Sequence, residues 1–154
     1  MLDDETREAA RSAIESRFLL RDEQLDNQLS ELASRAANLR TSDEFAQIDV
    51  RLRLACEHDL FERAHIVWNS LKRAHQDSRG RRTRGPELLM NCKDDLHVYM
   101  RDAAINLANR LSEHAAPLGP AFSGANALDA RWIGRLQRTA EERQARDMAA
   151  YCIR

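Results

Sequence analysis

The sequence predicts an all-α protein, a single antiparallel bundle of four to six helices with two long helices over about 42–77 and 86–116. Three observations carry this expectation. Leu (19) and Ala (23) far outnumber Val and Ile, nine together, a balance that favours helices over strands. Apolar residues recur at spacings of three and four through most of the chain. No run alternates β-branched with polar residues, and no Asn-Gly or Asp-Gly hairpin turn occurs.

Taken in order, residues 3–21 read as a first helix, with Asp3, Asp4 and Glu5 where a helix N-terminus attracts negative charge and Ala10, Ile14 and Phe18 as its apolar stripe. A second helix is expected over about 22–40. Its Leu25, Leu29, Leu32, Ala36 and Leu39 make a two-heptad seam, which suggests a homodimer through those leucines. Thr41 and Glu44 form a capping box, so a third helix begins near Ser42. A weaker start signal at Asp59 and Glu62 allows a break near His58, but the stripe drifts without jumping and favours one continuous helix to Asp77. Gly80 and Gly85-Pro86 bracket a basic loop over 78–86, and Pro86 suits the first position of the next helix. Leu89, Cys92, Leu96, Tyr99, Ala103, Leu107 and Leu111 carry that helix towards Ala116. Pro117 and Pro120 stop it, leaving a small-residue loop over 117–126. A last helix runs from about Ala127 towards Tyr151, apolar at Leu128, Trp132, Leu136 and Ala140 and with a solvated polar continuation over 141–147.

The 154 residues make one domain over 1–154, long enough to bury a core without disulfides or a structural metal. A formal charge of −1 excludes a global field that would drive the chain onto nucleic acid or an acidic membrane. Three cysteines at wide spacings, with no CxxC pair, suit a reducing compartment. The acidic N-terminus is unlike a secretory signal, and no apolar run reaches membrane-span length, so a cytoplasmic protein without a membrane partner is expected.

Charge is nevertheless segregated. Residues 72–85 hold six basic side chains, Lys72, Arg73, Arg79, Arg81, Arg82 and Arg84, against Asp77 alone, whereas the blocks before and after are acidic. Such a segment is expected outside the packed core, against an acidic protein face or a nucleic-acid backbone. No aromatic residue lies between the arginines to stack on bases, so a protein partner is the first expectation and nucleic acid the alternative. Arg131, Arg135 and Arg138 form a secondary basic face on the last helix.

Signals for chemistry are sparse. His58, Glu62 and His65 share a helical face and have the residue types of a zinc or non-haem iron site, with Asp94 and His97 as a second carboxylate-x-x-His spacing. Their stripe lies about 140° from the apolar face of the same helix, whereas metals in helical bundles lie inside. Arg53 and His58 have the R-x4-H spacing used by the helical HEPN ribonucleases. Leu54 follows the arginine where that motif has a polar residue, and nothing else supports the resemblance. Ser123 lacks the flanking glycines of a nucleophile elbow. Trp68, Tyr99 and Trp132 sit at core spacing. No catalytic residues and no cofactor are assigned. The expectation is a non-enzymatic macromolecule-binding helical protein in a regulatory, adaptor or inhibitor role, with a nucleic-acid binder and a metal-dependent or HEPN-like enzyme as alternatives.

Overall fold

The computed structural model describes residues 2–38, 41–78, 83–115 and 130–153. Within them the chain is all-helical, with four helices and no strand: α1 (Asp4–Ala37), α2 (Ser42–Asp77), α3 (Pro86–Ala115) and α4 (Ala130–Cys152).

α1 starts as the acidic N-terminus predicts. The Asp3 carboxylate accepts from the Thr6 backbone N–H at 2.7 Å, and Asp4 and Glu5 occupy the first turn. The expected boundary near residue 21 is absent, and the first two predicted helices are one of 34 residues. No glycine or proline interrupts Leu20-Arg21-Asp22, and Arg21 and Asp22, the latter a residue type that caps helices, both find partners on a neighbouring helix. α2 opens on Thr41, whose hydroxyl accepts from the Glu44 N–H at 3.3 Å. It continues unbroken through His58-Asp59 because Asp59, instead of capping a new helix, is fully buried against α1. Gly85 takes φ 155°, which residues with a Cβ rarely adopt, and Pro86 follows as the first residue of α3. The loop expected over 117–126 and the start of the last helix over 127–129 lie outside the described residues.

The helices alternate in direction. Arg21 of α1 meets Asp59 of α2 while the first turns of α1 lie beside the last of α2, an antiparallel pair. α1 and α3 run parallel, linked by Arg7 to Asp95, Asp22 to Asn106 and Asp26 to Arg110. α4 is antiparallel to α3 and parallel to α2, with Arg53 over Trp132 at one end and His75 against Tyr151 at the other. α1 packs chiefly on α2 and α3 chiefly on α4, while α2 touches all three other helices. Between them lies a core of Ile14, Leu25, Leu29, Leu60, Val67, Leu71, Leu96, Met100, Leu107 and Met148.

One expectation is corrected by this packing. Leu25 and Leu29 are buried and Leu32 packs on the core, so the leucine seam serves the chain's own interior; Leu39 lies outside the described residues. The polar continuation over 141–147 is solvated as expected, with Glu142, Arg143, Arg146 and Asp147 exposed and none of the seven buried, and the core resumes beyond it at Met148, Tyr151 and Cys152. Among the described residues no helix is long and apolar enough to cross a membrane.

Candidate functional site

The basic segment begins inside α2. Leu71, Ala74 and His75 prolong the apolar stripe of that helix, so it stays packed through its last turns, against the expectation that all of 72–85 lies outside the core. His75 is buried, and its Nδ1 is 2.7 Å from the hydroxyl of Tyr151 near the end of α4. The Tyr151 ring stacks edge-on against Trp68 and organises the cations around it. Lys72 Nζ stands 5.5 Å from its centroid and the Arg84 guanidinium 4.3 Å, so one aromatic ring anchors cations from both ends of the basic segment. Arg73 is exposed. Arg79, Arg81 and Arg82 lie outside the described residues, between Ser78 and Thr83.

Beside this ring the start of α1 and the end of α2 leave an open cleft of about 750 Å³. Small residues, Ala9, Ala13 and Ala74 among them, keep it open, and Arg17, Lys72 and Arg73 line it together with Asp3, Glu5 and Asp77. Asp3 is held below the usual carboxylate range by its hydrogen bonds to Thr6, so it stays charged at neutral pH.

The other predicted residues are not brought to this end. Arg131, Arg135 and Arg138 are exposed on the first turns of α4, about 20–30 Å along the helix from Tyr151 at 1.5 Å per residue. His58 and His65 are exposed and Glu62 half-buried, and among the described residues no three His, Cys, Asp or Glu side chains are grouped to hold a metal ion. His65 is paired with Asn69 at 2.9 Å, and His97 reaches Glu141 of α4 at 2.8 Å, away from Asp94. Arg53 binds Asp49 at 3.1 Å and lies over Trp132, whereas His58, about 140° further round a continuous helix, points elsewhere. Ser123 lies outside the described residues. Trp68 is buried in the core, with Tyr99 and Trp132 packed against it.

Sequence reasoning missed an ion network between α1, α2 and α3. Asp59 accepts from Arg21 Nη2 at 2.8 Å and from Arg63 Nε at 2.8 Å, and Arg63 Nη2 donates to Asp22 at 2.7 Å. Asp22 also accepts from Asn106 at 3.3 Å and lies 3.5 Å from Arg110, which in turn bonds Asp26. Three arginines therefore balance three aspartates, and the Phe18 ring covers the Arg63 guanidinium at 5.0 Å. The Arg110 hydrogen bond, with His114 behind it, holds the Asp26 carboxyl below its usual range. A signal for this network exists in the sequence: Asp59 and Arg63 fall among Cys56, Leu60, Ala64 and Val67, on the buried face of α2.

The three cysteines are all free and buried, Cys92 on α3 and Cys152 in the last turn of α4. Burial pushes Cys56 and Cys92 up to about 12, which keeps both as thiols at neutral pH.

These features define an all-helical protein with an internally neutralised ion network and a basic, aromatic-anchored end. No family model, no curated protein and no solved structure matches the chain.

Proposed function

We propose that the chain is a non-enzymatic helical-bundle protein of the cytoplasm that binds an acidic face of another protein, in a regulatory, adaptor or inhibitor role. The observation that carries this reading is the convergence of Lys72 and Arg84 on the Tyr151 ring, which roots both ends of the arginine-rich segment at one end of the molecule. Arg17 and Arg73 extend the cationic surface into the adjacent cleft. Asp3, Glu5 and Asp77 line the same cleft, and their mixture with cations suits a protein face of interspersed charge better than a continuous polyanion. Tyr151, the aromatic residue at the centre, is covered by Trp68, His75 and the cations and presents no free face for base stacking.

The test is titration of the full chain with poly-glutamate and with duplex and single-stranded oligonucleotides at low and high salt, beside the variant carrying Arg79→Ser, Arg81→Ser and Arg82→Ser. Salt-sensitive binding of poly-glutamate that the variant loses supports the reading. Preferential binding of an oligonucleotide, lost in the same variant, replaces it with a phosphate-binding role. Equal binding by both proteins places the contact surface elsewhere, with Arg131, Arg135 and Arg138 the next to be replaced.

A further inference from the structure

The outer side of the α2–α4 pair carries apolar groups that the bundle leaves in water. Val50 and Leu54 stand one turn apart on α2, 55% and 58% exposed. Phe61, half-buried, lies within about 20° of Leu54 around the helix, so the three make one ridge about 16 Å long. Across the seam, Trp132 and Leu136 of α4 pack on the core but are only partly covered. Two contacts fix that seam, Arg53 over the Trp132 ring at 5.7 Å and Arg143 over the Phe61 ring at 4.3 Å. Single exposed aliphatics are ordinary on a protein surface, whereas these continue into two aromatic rings along one strip.

The charges beside the strip are mostly of one sign. Over residues 50–65 the exposed side chains are Val50, Arg51, Leu54, His58 and His65, with no carboxylate among them. On α4, Arg135, Arg143 and Arg146 are exposed and fall within about 80° of one another on the side of Trp132, and over 131–146 Glu142 is the single exposed acid. Arg21, Arg63 and Arg110 are each paired with aspartates inside the bundle, but among the described residues no carboxylate pairs with Arg135, Arg143 or Arg146. A second copy of the chain would bring this cationic surface against itself, since a two-fold contact is self-complementary. A nucleic-acid backbone would leave Val50 and Leu54 facing phosphate charge.

We infer that this strip docks an acidic amphipathic helix of a partner protein. Apolar residues at spacings of three and four on that helix cover Val50, Leu54 and Phe61, and carboxylates on its flank meet Arg135, Arg143 and Arg146. About three turns of the partner match the ridge. The strip shares no residue with the basic segment over 72–85, so the two surfaces can be tested apart.

The full chain is panned against a displayed library of peptides about 16 residues long, apolar at helical spacings of three and four and random elsewhere. Expected are clones rich in Asp and Glu that become helical on binding, bind more weakly as salt rises, and lose at least about tenfold in affinity for Leu54→Asp and for the double variant Arg135→Glu with Arg146→Glu. All three positions are exposed, and an unchanged melting temperature shows that each variant is folded. The variant carrying Arg79→Ser, Arg81→Ser and Arg82→Ser should bind the same clones within about twofold. Enrichment of no clone, enrichment without acidic residues, or binding that both strip variants retain overturns the assignment. So does a dimer that Leu54→Asp dissociates, which gives the strip to a second copy, or capture on phosphatidylserine vesicles in place of acidic peptides, which gives it to a membrane surface.

Discussion

Asp59 and Arg63 stand one turn apart on α2, joined at 2.8 Å, with 0% and 2% of their side chains exposed. A charged pair in this position is costly to desolvate, and it survives because each partner is shared: Asp59 also receives Arg21, and Arg63 also holds Asp22. Asp59→Ala leaves two guanidiniums without their common acceptor and should destabilise the chain by about 3–5 kcal/mol, read from urea unfolding as a lower midpoint at unchanged slope. Replacing Arg21, Asp59 and Arg63 together with Met, Leu and Met should cost much less than the single change. A triple variant weaker than Asp59→Ala would show that the network adds net stability.

At the far end of the molecule, Tyr151→Phe keeps the ring that meets Trp68 and Arg84 and removes only the hydroxyl bonded to His75. The expected loss is about 1–2 kcal/mol in a denaturation experiment. Tyr151→Ala should lose about 3–5 kcal/mol, because a large buried side chain goes with it. Equal losses in the two variants would locate the whole contribution of Tyr151 in its hydroxyl.

The arginines of the basic segment should separate into two kinds. Arg84→Ser removes a cation over an aromatic ring and should lower stability by about 0.5–1 kcal/mol, a few degrees in melting temperature at most. If Arg79, Arg81 and Arg82 serve binding as proposed, substituting them by serine should leave the melting curve unchanged within about 0.5 kcal/mol and should act on binding. A cooperative loss of stability in that triple variant would contradict their assignment as a contact surface.

Acid should weaken the chain partly through Asp26. Arg110, and beyond it His114, lower the folded-state pKa of this carboxyl below its ordinary 3.8, so its contribution is fully present above that value and disappears as pH falls through the lowered one. Stability measured from pH 5 downward should therefore fall less steeply in Asp26→Asn than in the wild type. Parallel slopes would mean that other carboxylates carry the acid limb.

Much of the helical framework was legible because its ends are set locally. The Asp3 cap, the Thr41 cap and the Gly85-Pro86 corner are short-range chemistry, and each stands where the sequence indicates. The boundary expected near residue 21 has no local break behind it, since Arg21 and Asp22 continue the helix and pair with α2. The leucine seam was visible, but a single chain's pattern does not say whether the facing helix is its own or a second copy's. Asp59 reads in the sequence as a weak helix start, although its position on the stripe, like that of Arg63, marks it as interior. His75 beside Tyr151 left no local signal, since the pairing depends on which helices become neighbours.

The arrangement of helix interfaces bears on how quickly this chain reaches its structure. The two most extensive interfaces, α1 with α2 and α3 with α4, each join helices consecutive in sequence, so most native contacts need only short loops to close. Topologies of low contact order of this kind fold in microseconds to milliseconds. The slower search is the meeting of the two hairpins, and in that event Asn106 and Arg110 of α3 must reach Asp22 and Asp26 of α1, whereas Arg21, Asp59 and Arg63 find partners within the first hairpin. Correct docking is then distinguished from a slipped register by whether Arg110 meets both Asp22 and Asp26, which makes this corner of the ion network a proofreading device for assembly.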